Sequence, residues 1–248
     1  NRWYGVEAEK KFLENYGFTD SKMLIGGYIK EFEIDTSNVK IPPNEIEKLN
    51  PQQLLMLKVA NRAIKDARLE SGGNIAVVIA ADTELSSHRI SQRWHLSWQL
   101  RERLEQNQIS FNPEKIAQLE EILQESIDYG QTANVFVSRV GSVVASRISA
   151  LWDFTGAALM ISSGENSTFK ALEVAQMLLN TNEVEAVVVG AVDLAGGVEN
   201  VLLRNQLAKI NTGVNTLSYD ESCNGWTIGE GAGAVVLKRH KDAKQNGD

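Results

Sequence analysis

ALMISSGENSTFKALEVAQMLLNTNEVEAVVVGAVDL, residues 158–194, is the stretch in which the fold is written most plainly. ALMIS (158–162) reads as a short apolar strand, SGENS as a turn, TFKALEVAQMLLN (168–180) as a helix and EAVVVGAVDL (185–194) as a second strand. Strands separated by helices of about 10–15 residues pair in parallel through right-handed crossovers. Two further runs join the set. NIAVVIAAD (74–82) is short, apolar and β-rich, as a buried parallel strand is, and GAGAVVLKR (231–239) is another strand. The expectation is one α/β domain with these strands paired in parallel.

The segments between the strands are mostly helical in pattern. NPQQLLMLKVANRAIKD (50–66) carries Leu54, Leu57, Ala60 and Ile64 at three- and four-residue steps, and Gly72-Gly73 should stop it. Residues 1–45 are mixed and polar, punctuated at Gly26-Gly27 and at Pro42-Pro43. The proline pair should end extended structure and launch a helix. A helix from about Phe136 to Leu151 holds Gly141, Ser142, Ala145 and Ser146, small residues suited to close packing. Between Glu84 and Tyr129 lies a polar insert containing Trp94 and Trp98. Its PEKIAQLEEILQESI (113–127) places Ile116, Leu119, Ile122 and Leu123 at helical spacing, with charges on the other side. That insert reads either as a solvated helical hairpin or as a surface facing a partner. No internal repeat or low-complexity linker divides the chain.

Composition narrows the function. Of 248 residues 43% are hydrophobic, enough for a layered α/β domain, and the net charge of −7 argues against nucleic acid or an anionic membrane as main partner. No stretch approaches the roughly 18 apolar residues of a membrane span, and NRWYGVEAEKK does not read as a signal peptide. The single cysteine, Cys223, excludes an internal disulfide and a cysteine-based metal site. His88, His95 and His240 are scattered without metal-ligand spacing. A soluble cytoplasmic protein is the expectation.

In parallel α/β sheets chemistry sits where strand ends meet helix N-termini. The turn Ser162-Ser163-Gly164-Glu165-Asn166-Ser167 is such a place. Gly164 permits a sharp turn, and the following amides point toward position 165. A thiol there would be acidified by the helix N-terminus; a carboxylate is stabilised in the same way but is a poor acyl acceptor. Ser162 and Glu165 also fit a capping box at the helix start. Ser167 and Lys170 have the spacing of a lysine-activated serine of hydrolases and acyltransferases, a weak pattern. GEGAG (229–233) leads into a strand and so lacks the helix N-terminus of a phosphate loop; tight packing of turn and strand is its expected role. Cys223, in YDESCNG, reads as unreactive.

Three ordered segments carry a family resemblance. Pro42-Pro43 with Asn50-Pro51-Gln52-Gln53-Leu54 and a helix ending Lys65-Asp66-Ala67 is the first. The second is Ala145-Ser146-Arg147-Ile148-Ser149 with Asp153-Phe154 and Gly156. The third runs from Tyr219-Asp220 through Asn224-Gly225-Trp226 and Gly229-Glu230-Gly231-Ala232-Gly233 to Leu237-Lys238-Arg239. Together they resemble the β-ketoacyl synthase (ketosynthase) family. The resemblance implies a thiolase-like αβαβα layered sandwich, of which residues 1–248 would be the N-terminal half, with a mostly parallel sheet and a helical insert at 84–129. It implies that the first strand, and a C-terminal half with two catalytic histidines and a gating loop, lie outside this sequence.

The same register lays Glu165 on the family's nucleophilic cysteine, with Ser163, Gly164, Asn166 and Ser167 lining the site. Family members without that cysteine include chain-length factors, which pair with an active ketosynthase and shape its acyl channel. EFEIDTSNVKIPPNEIEKLNPQQ (31–53) most resembles the multienzyme synthases of polyunsaturated fatty acids and related lipids. The implied partners are a ketosynthase, forming a dimer across the small-residue helix and neighbouring strand, and an acyl carrier protein. The implied cofactor is the carrier's phosphopantetheine, with none bound directly by this chain. Three other readings stay open here. One is a malonyl-carrier-protein decarboxylase in which Asn166 and nearby amides stabilise the enolate, although such loading ketosynthases usually carry Gln at position 165. The others are an active 3-oxoacyl synthase or acyltransferase using Ser167 or Cys223, and a scaffold.

Overall fold

The computed structural model describes residues 26–29, 31–35, 41, 46, 49–82, 86–127, 140–194, 198–211, 216 and 220–248. The elements are β1 (Gly26–Gly27), α1 (Pro51–Asp66), β2 (Ile75–Ala81), α2 (Ser86–Gln106), α3 (Pro113–Ile127), α4 (Val143–Leu151), β3 (Ala158–Ile161), α5 (Ser167–Asn180), β4 (Ala186–Asp193), α6 (Val198–Leu207), β5 (Ile228–Gly229), β6 (Gly231–Lys238) and α7 (His240–Asn246). They fall into two compact units, residues 1–83 with 141–248, and residues 84–140. Pro42-Pro43 and residues 136–139 lie outside the described residues.

In the first unit a four-stranded sheet runs β3-β2-β4-β6. β2 pairs in parallel with β3, Val77 opposite Ala158, and with β4, Ile75 opposite Ala186. β6 is antiparallel, with Lys238 opposite Ala186 and Gly231 opposite Asp193. This corrects the expectation of parallel pairing for 231–239. A parallel strand needs a crossover that returns the chain to the end where its neighbour began. Here β6 starts beside the end of β4, so it can only run back.

Alternation along the strands builds two cores. Ile75, Val77, Ile79 and Ala81 of β2, with Ala186, Val188 and Val192 of β4, meet Met56, Ala60 and Ile64 of α1 and Val144, Ala145 and Ile148 of α4. Ala76, Val78, Ala80, Val187 and Val189 point the other way, onto Ala171, Ala175, Leu178 and Leu179 of α5. Helices on both faces explain why all seven residues of β2 are buried and why its sequence is an unbroken apolar run. α5 is apolar on its outer side too: Phe169 is 67% and Met177 57% exposed. These apolar residues share the outer side with the exposed Lys170–Glu173 pair.

Helix boundaries follow local chemistry. Asn50 caps α1 by accepting from the Gln52 amide at 2.8 Å, with Pro51 in the first turn. α1 ends before Gly72-Gly73: Ala67 is its C-cap and Arg68 takes a left-handed φ of 50°. α4 begins at Val143, later than its expected start near Phe136, because Gly141 and Ser142 form a turn whose Gly141 carbonyl accepts from Val144 N–H at 3.3 Å. Of its small residues, Ala145 is fully buried whereas Ser146 is exposed. Gly156 is dictated by a close approach, since a Cβ there would lie 2.6 Å from the Ile75 backbone. Gly26-Gly27 is more than punctuation, for it pairs in parallel with β5.

The second unit is a helical hairpin. Arg101 Nε donates to Glu120 Oε1 at 2.8 Å and Gln124 Nε2 to Ser97 Oγ at 3.1 Å, so α2 and α3 run antiparallel. Glu120 holds the Arg101 pKa above its ordinary value, by the hydrogen bond first and by charge second. Among the described residues no helix is long and apolar enough to cross a membrane.

Candidate active-site cleft

A cleft of about 480 Å³ opens at the carboxyl ends of β2 and β4, beside the start of β6. Asp82 follows β2, Asp193 ends β4, Gly164 and Glu165 come from the turn before α5, and Ser167 is the first residue of α5. Ala80, Ala81, Ala191 and Val192 give an apolar floor, and Arg204, Leu207 and Trp226 form a further wall. Ligands of open α/β sheets bind in such a crevice.

The turn is held by its own backbone and one hydroxyl. Gly164 adopts φ +56°, a conformation that favours glycine. Ser167 Oγ donates to the Gly164 carbonyl at 2.6 Å and accepts from Ser163 N–H at 2.8 Å. Asn166 N–H donates to the Ser163 carbonyl at 3.2 Å. α5 starts at Ser167, with Asn166 as N-cap residue and no side-chain capping bond. The expected capping box is therefore absent: Ser162 lies too far ahead of the helix, and its hydroxyl donates to Asp82 Oδ1 at 3.4 Å. Glu165 is exposed at the helix head, where N-terminal amides favour a negative group. Ser163 and Asn166 are exposed turn residues outside the cleft lining.

Neither alternative nucleophile is arranged for attack. Ser167 is buried, with its hydroxyl committed in both directions, and Lys170 pairs with Glu173 at 2.7 Å on the exposed side of α5. No Ser167–Lys170 dyad exists. Cys223 is half-buried, donates its S–H to the Gly225 carbonyl at 2.8 Å and does not line the cleft.

Several cleft residues escaped sequence reasoning. Arg204 Nη2 meets Asp193 Oδ2 at 2.9 Å, and its guanidinium lies 5.9 Å from the Trp226 ring centre. Trp226 Nε1 donates to the Ala208 carbonyl at 2.9 Å. Asp82 and Asp193 carried a usable signal, because each closes an apolar strand. Arg204 carried none, since its partners are distant in sequence. The glycine-rich 229–233 segment also differs from its reading. A Cβ at Gly229, Gly231 or Gly233 would meet nothing within 4 Å, so these glycines are not required by tight packing. Gly231 and Gly233 line the cleft, and their lack of side chains keeps it open.

Chemically, three carboxylates (Asp82, Glu165, Asp193) and one guanidinium surround an apolar floor, and no thiol lines it. No group of three or more His, Cys, Asp and Glu placed to hold a metal ion occurs among the described residues.

Comparison with known proteins gives the arrangement a context. The sequence pattern of the beta-ketoacyl synthase N-terminal domain matches residues 6–243. One subunit of the polyunsaturated fatty acid synthase of Thraustochytrium sp. (strain ATCC 26185 / S-3) is 35% identical over 239 residues, covering 96% of this chain and 11% of that protein. 5-Methyl-1-naphthoate synthase of Streptomyces sahachiroi is 25% identical over 228 residues, covering 90% and 11%. The solved PfaC keto synthase–chain length factor superposes with a TM-score of 0.82 at 34% identity, covering 97% of this chain and 25% of that one. A beta-ketoacyl synthase from Burkholderia phymatum STM815 shares the fold at a TM-score of 0.64 and 17% identity, covering 94% and 52%. The chain thus spans about a tenth of the curated relatives' length and a quarter of the PfaC structure.

Proposed function

The chain belongs to the beta-ketoacyl synthase family, as its N-terminal domain, and from that premise we propose that it is a non-condensing, chain-length-factor-type part of a fatty acid or polyketide synthase. In this reading it pairs with an active ketosynthase and shapes the channel that receives the growing acyl chain. The observation that carries the proposal is Glu165, a carboxylate on the cleft wall at the helix head, on which the family resemblance lays the nucleophilic cysteine. Condensation requires an acyl group held on the enzyme as a reactive ester or thioester. A carboxylate would give only a mixed anhydride, formed uphill from a thioester, so acyl chains are not retained here.

The neutral, small-residue floor suits a hydrocarbon chain more than an anionic malonyl group, because Asp82 and Glu165 sit at the same cleft. β3 is an edge strand of the sheet, and its Leu159 is 40% exposed. An edge strand with exposed apolar residues can pair with another chain. That supports the partner ketosynthase docking along β3 and α4. Substrates would arrive as thioesters on the phosphopantetheine arm of an acyl carrier protein, in a cytoplasmic multienzyme.

The test is the intact mass of the complete domain after exposure to acyl and malonyl thioester donors, followed by binding to a ketosynthase. The expected result is no covalent adduct and a stable complex with the partner. A stoichiometric acyl adduct, carbon dioxide release from the malonyl donor, or failure to bind any ketosynthase would each overturn the reading.

A further inference from the structure

The register of the sheet fixes what lies under the Glu165 cleft. On the face turned toward α5, Ala80 of β2 stands opposite Ala191 of β4, and Ala191 opposite Gly233 of β6. All three line the cleft, as a strip with no side chain longer than a methyl group. One row deeper on the same face, Val78 stands opposite Val189 and Val189 opposite Val235. None of these valines lines the cleft, so its floor ends where the row changes from Ala-Ala-Gly to Val-Val-Val. The two rows are about 6.6 Å apart, two residues along each strand.

β6 gives the path its shape. Val78 and Val189 are buried against α5, whereas Val235 is 49% exposed. Gly231 and Gly233 precede Val235 at alternate positions, and a Cβ at either would meet nothing within 4 Å. Glycine inside a strand weakens it, and is found where a ligand or another backbone comes close. The polar groups of the walls are already engaged. Arg204 is paired with Asp193, the Trp226 N–H donates to the Ala208 carbonyl, and the Ser167 hydroxyl is used within its turn. Leu207, on the same wall, is an apolar side chain left 83% exposed. Such a surface suits a narrow apolar ligand, and the carboxylates Asp82 and Glu165 disfavour an anionic one.

We propose that Gly233 and Val235 set the length of the acyl chain that this cleft accepts. The inference rests on the function proposed above and takes the ligand as the hydrocarbon tail of a neutral thioester. The tail would lie over Ala191 and along the bare backbone of Gly231 and Gly233. It would end against Val235, the first side chain standing in that path. No bond is made or broken; the residues act by the space they leave.

The experiment measures, by calorimetry on the complete domain, the binding of acyl-pantetheine thioesters with chains of about 4 to about 14 carbons. In the wild type each methylene buried should tighten binding about three- to fourfold until the tail meets Val235, where the gain stops. Gly233→Val puts a side chain into open space and should move that limit to a shorter chain. Val235→Ala lowers an exposed side chain and should move the limit to a longer one, by about one or two carbons. Opposite shifts cannot come from a folding defect. No gain with length, a limit that neither variant moves, or shifts in the same direction in both would overturn the inference. A domain that binds a ketosynthase and forms no adduct, yet fails here, loses this inference alone. Failure of the chain-length-factor reading shows instead in the adduct and partner-binding experiments.

Discussion

Replacing Ser167 by alanine separates a structural serine from a nucleophilic one. Ser167 is 6% exposed; its hydroxyl donates to the Gly164 carbonyl at 2.6 Å and accepts from Ser163 N–H at 2.8 Å. Both partners belong to an exposed turn, so water can replace the lost bonds in part, and the full cost of burying unsatisfied groups does not apply. Two net hydrogen bonds at about 0.5–1.5 kcal/mol each, less that partial rescue, put the loss at about 1–2 kcal/mol. For a chain of this size that corresponds to a melting point lower by roughly 2–8 °C. The assay is thermal unfolding of wild type and Ser167→Ala side by side, with intact mass after exposure to an acyl thioester. The expected result is a lower melting point and an unchanged absence of adduct. An unchanged melting point together with loss of an acyl adduct present in wild type would refute the reasoning, for the serine would then be a nucleophile.

Three further outcomes follow from the same geometry. Glu165→Cys should be alkylated by iodoacetamide faster than Cys223, because position 165 is exposed at a helix head whereas Cys223 is half-buried and bonded to the Gly225 carbonyl; peptide mapping that finds Cys223 labelled first would contradict this. Met56 is fully buried, and a Cβ at Gly190 would lie 2.6 Å from its Cε and 2.9 Å from Ile79 Cδ1. Met56→Ala should cost about 2–5 kcal/mol and Gly190→Ala about 1–3 kcal/mol in urea unfolding, with the double variant losing less than their sum; strict additivity would show that the contact is not shared. The Asp220 carboxylate accepts from the Ser222 hydroxyl at 2.7 Å and from its amide at 2.9 Å, which hold its pKa below the ordinary aspartate value. A depressed folded-state value contributes stability above the ordinary pKa and loses it as pH falls through the lowered one. Ser222→Ala should therefore move the Asp220 midpoint upward in a carboxyl NMR titration, and an unmoved midpoint would show that the hydroxyl is not the cause.

Much of the fold was legible because period and punctuation are local properties. The seven-residue apolar run of β2 announced a strand covered on both faces, and α5 was readable to within one residue of its start. The direction of β6 was not legible, because strand sense depends on the end of the sheet at which the chain arrives. The start of α4 was misread because the turn at Gly141 and Ser142, which delays it, involves no strong breaker beyond one glycine.

The sequence by itself determined the α/β character, the strand–turn–helix around position 165 and, through three ordered segments, the family; each of these depends on residues that are neighbours along the chain. Tertiary structure alone decided that Ser162 bonds Asp82 instead of capping α5, and that Ser167 ties the turn instead of pairing with Lys170. It alone brought Asp193, Arg204 and Trp226 to one wall and left Gly231 and Gly233 facing open space. The physical reason is common to all of these. A hydroxyl, a guanidinium or a missing side chain acquires a role from what lies within a few ångströms, and folding, not sequence separation, sets that distance.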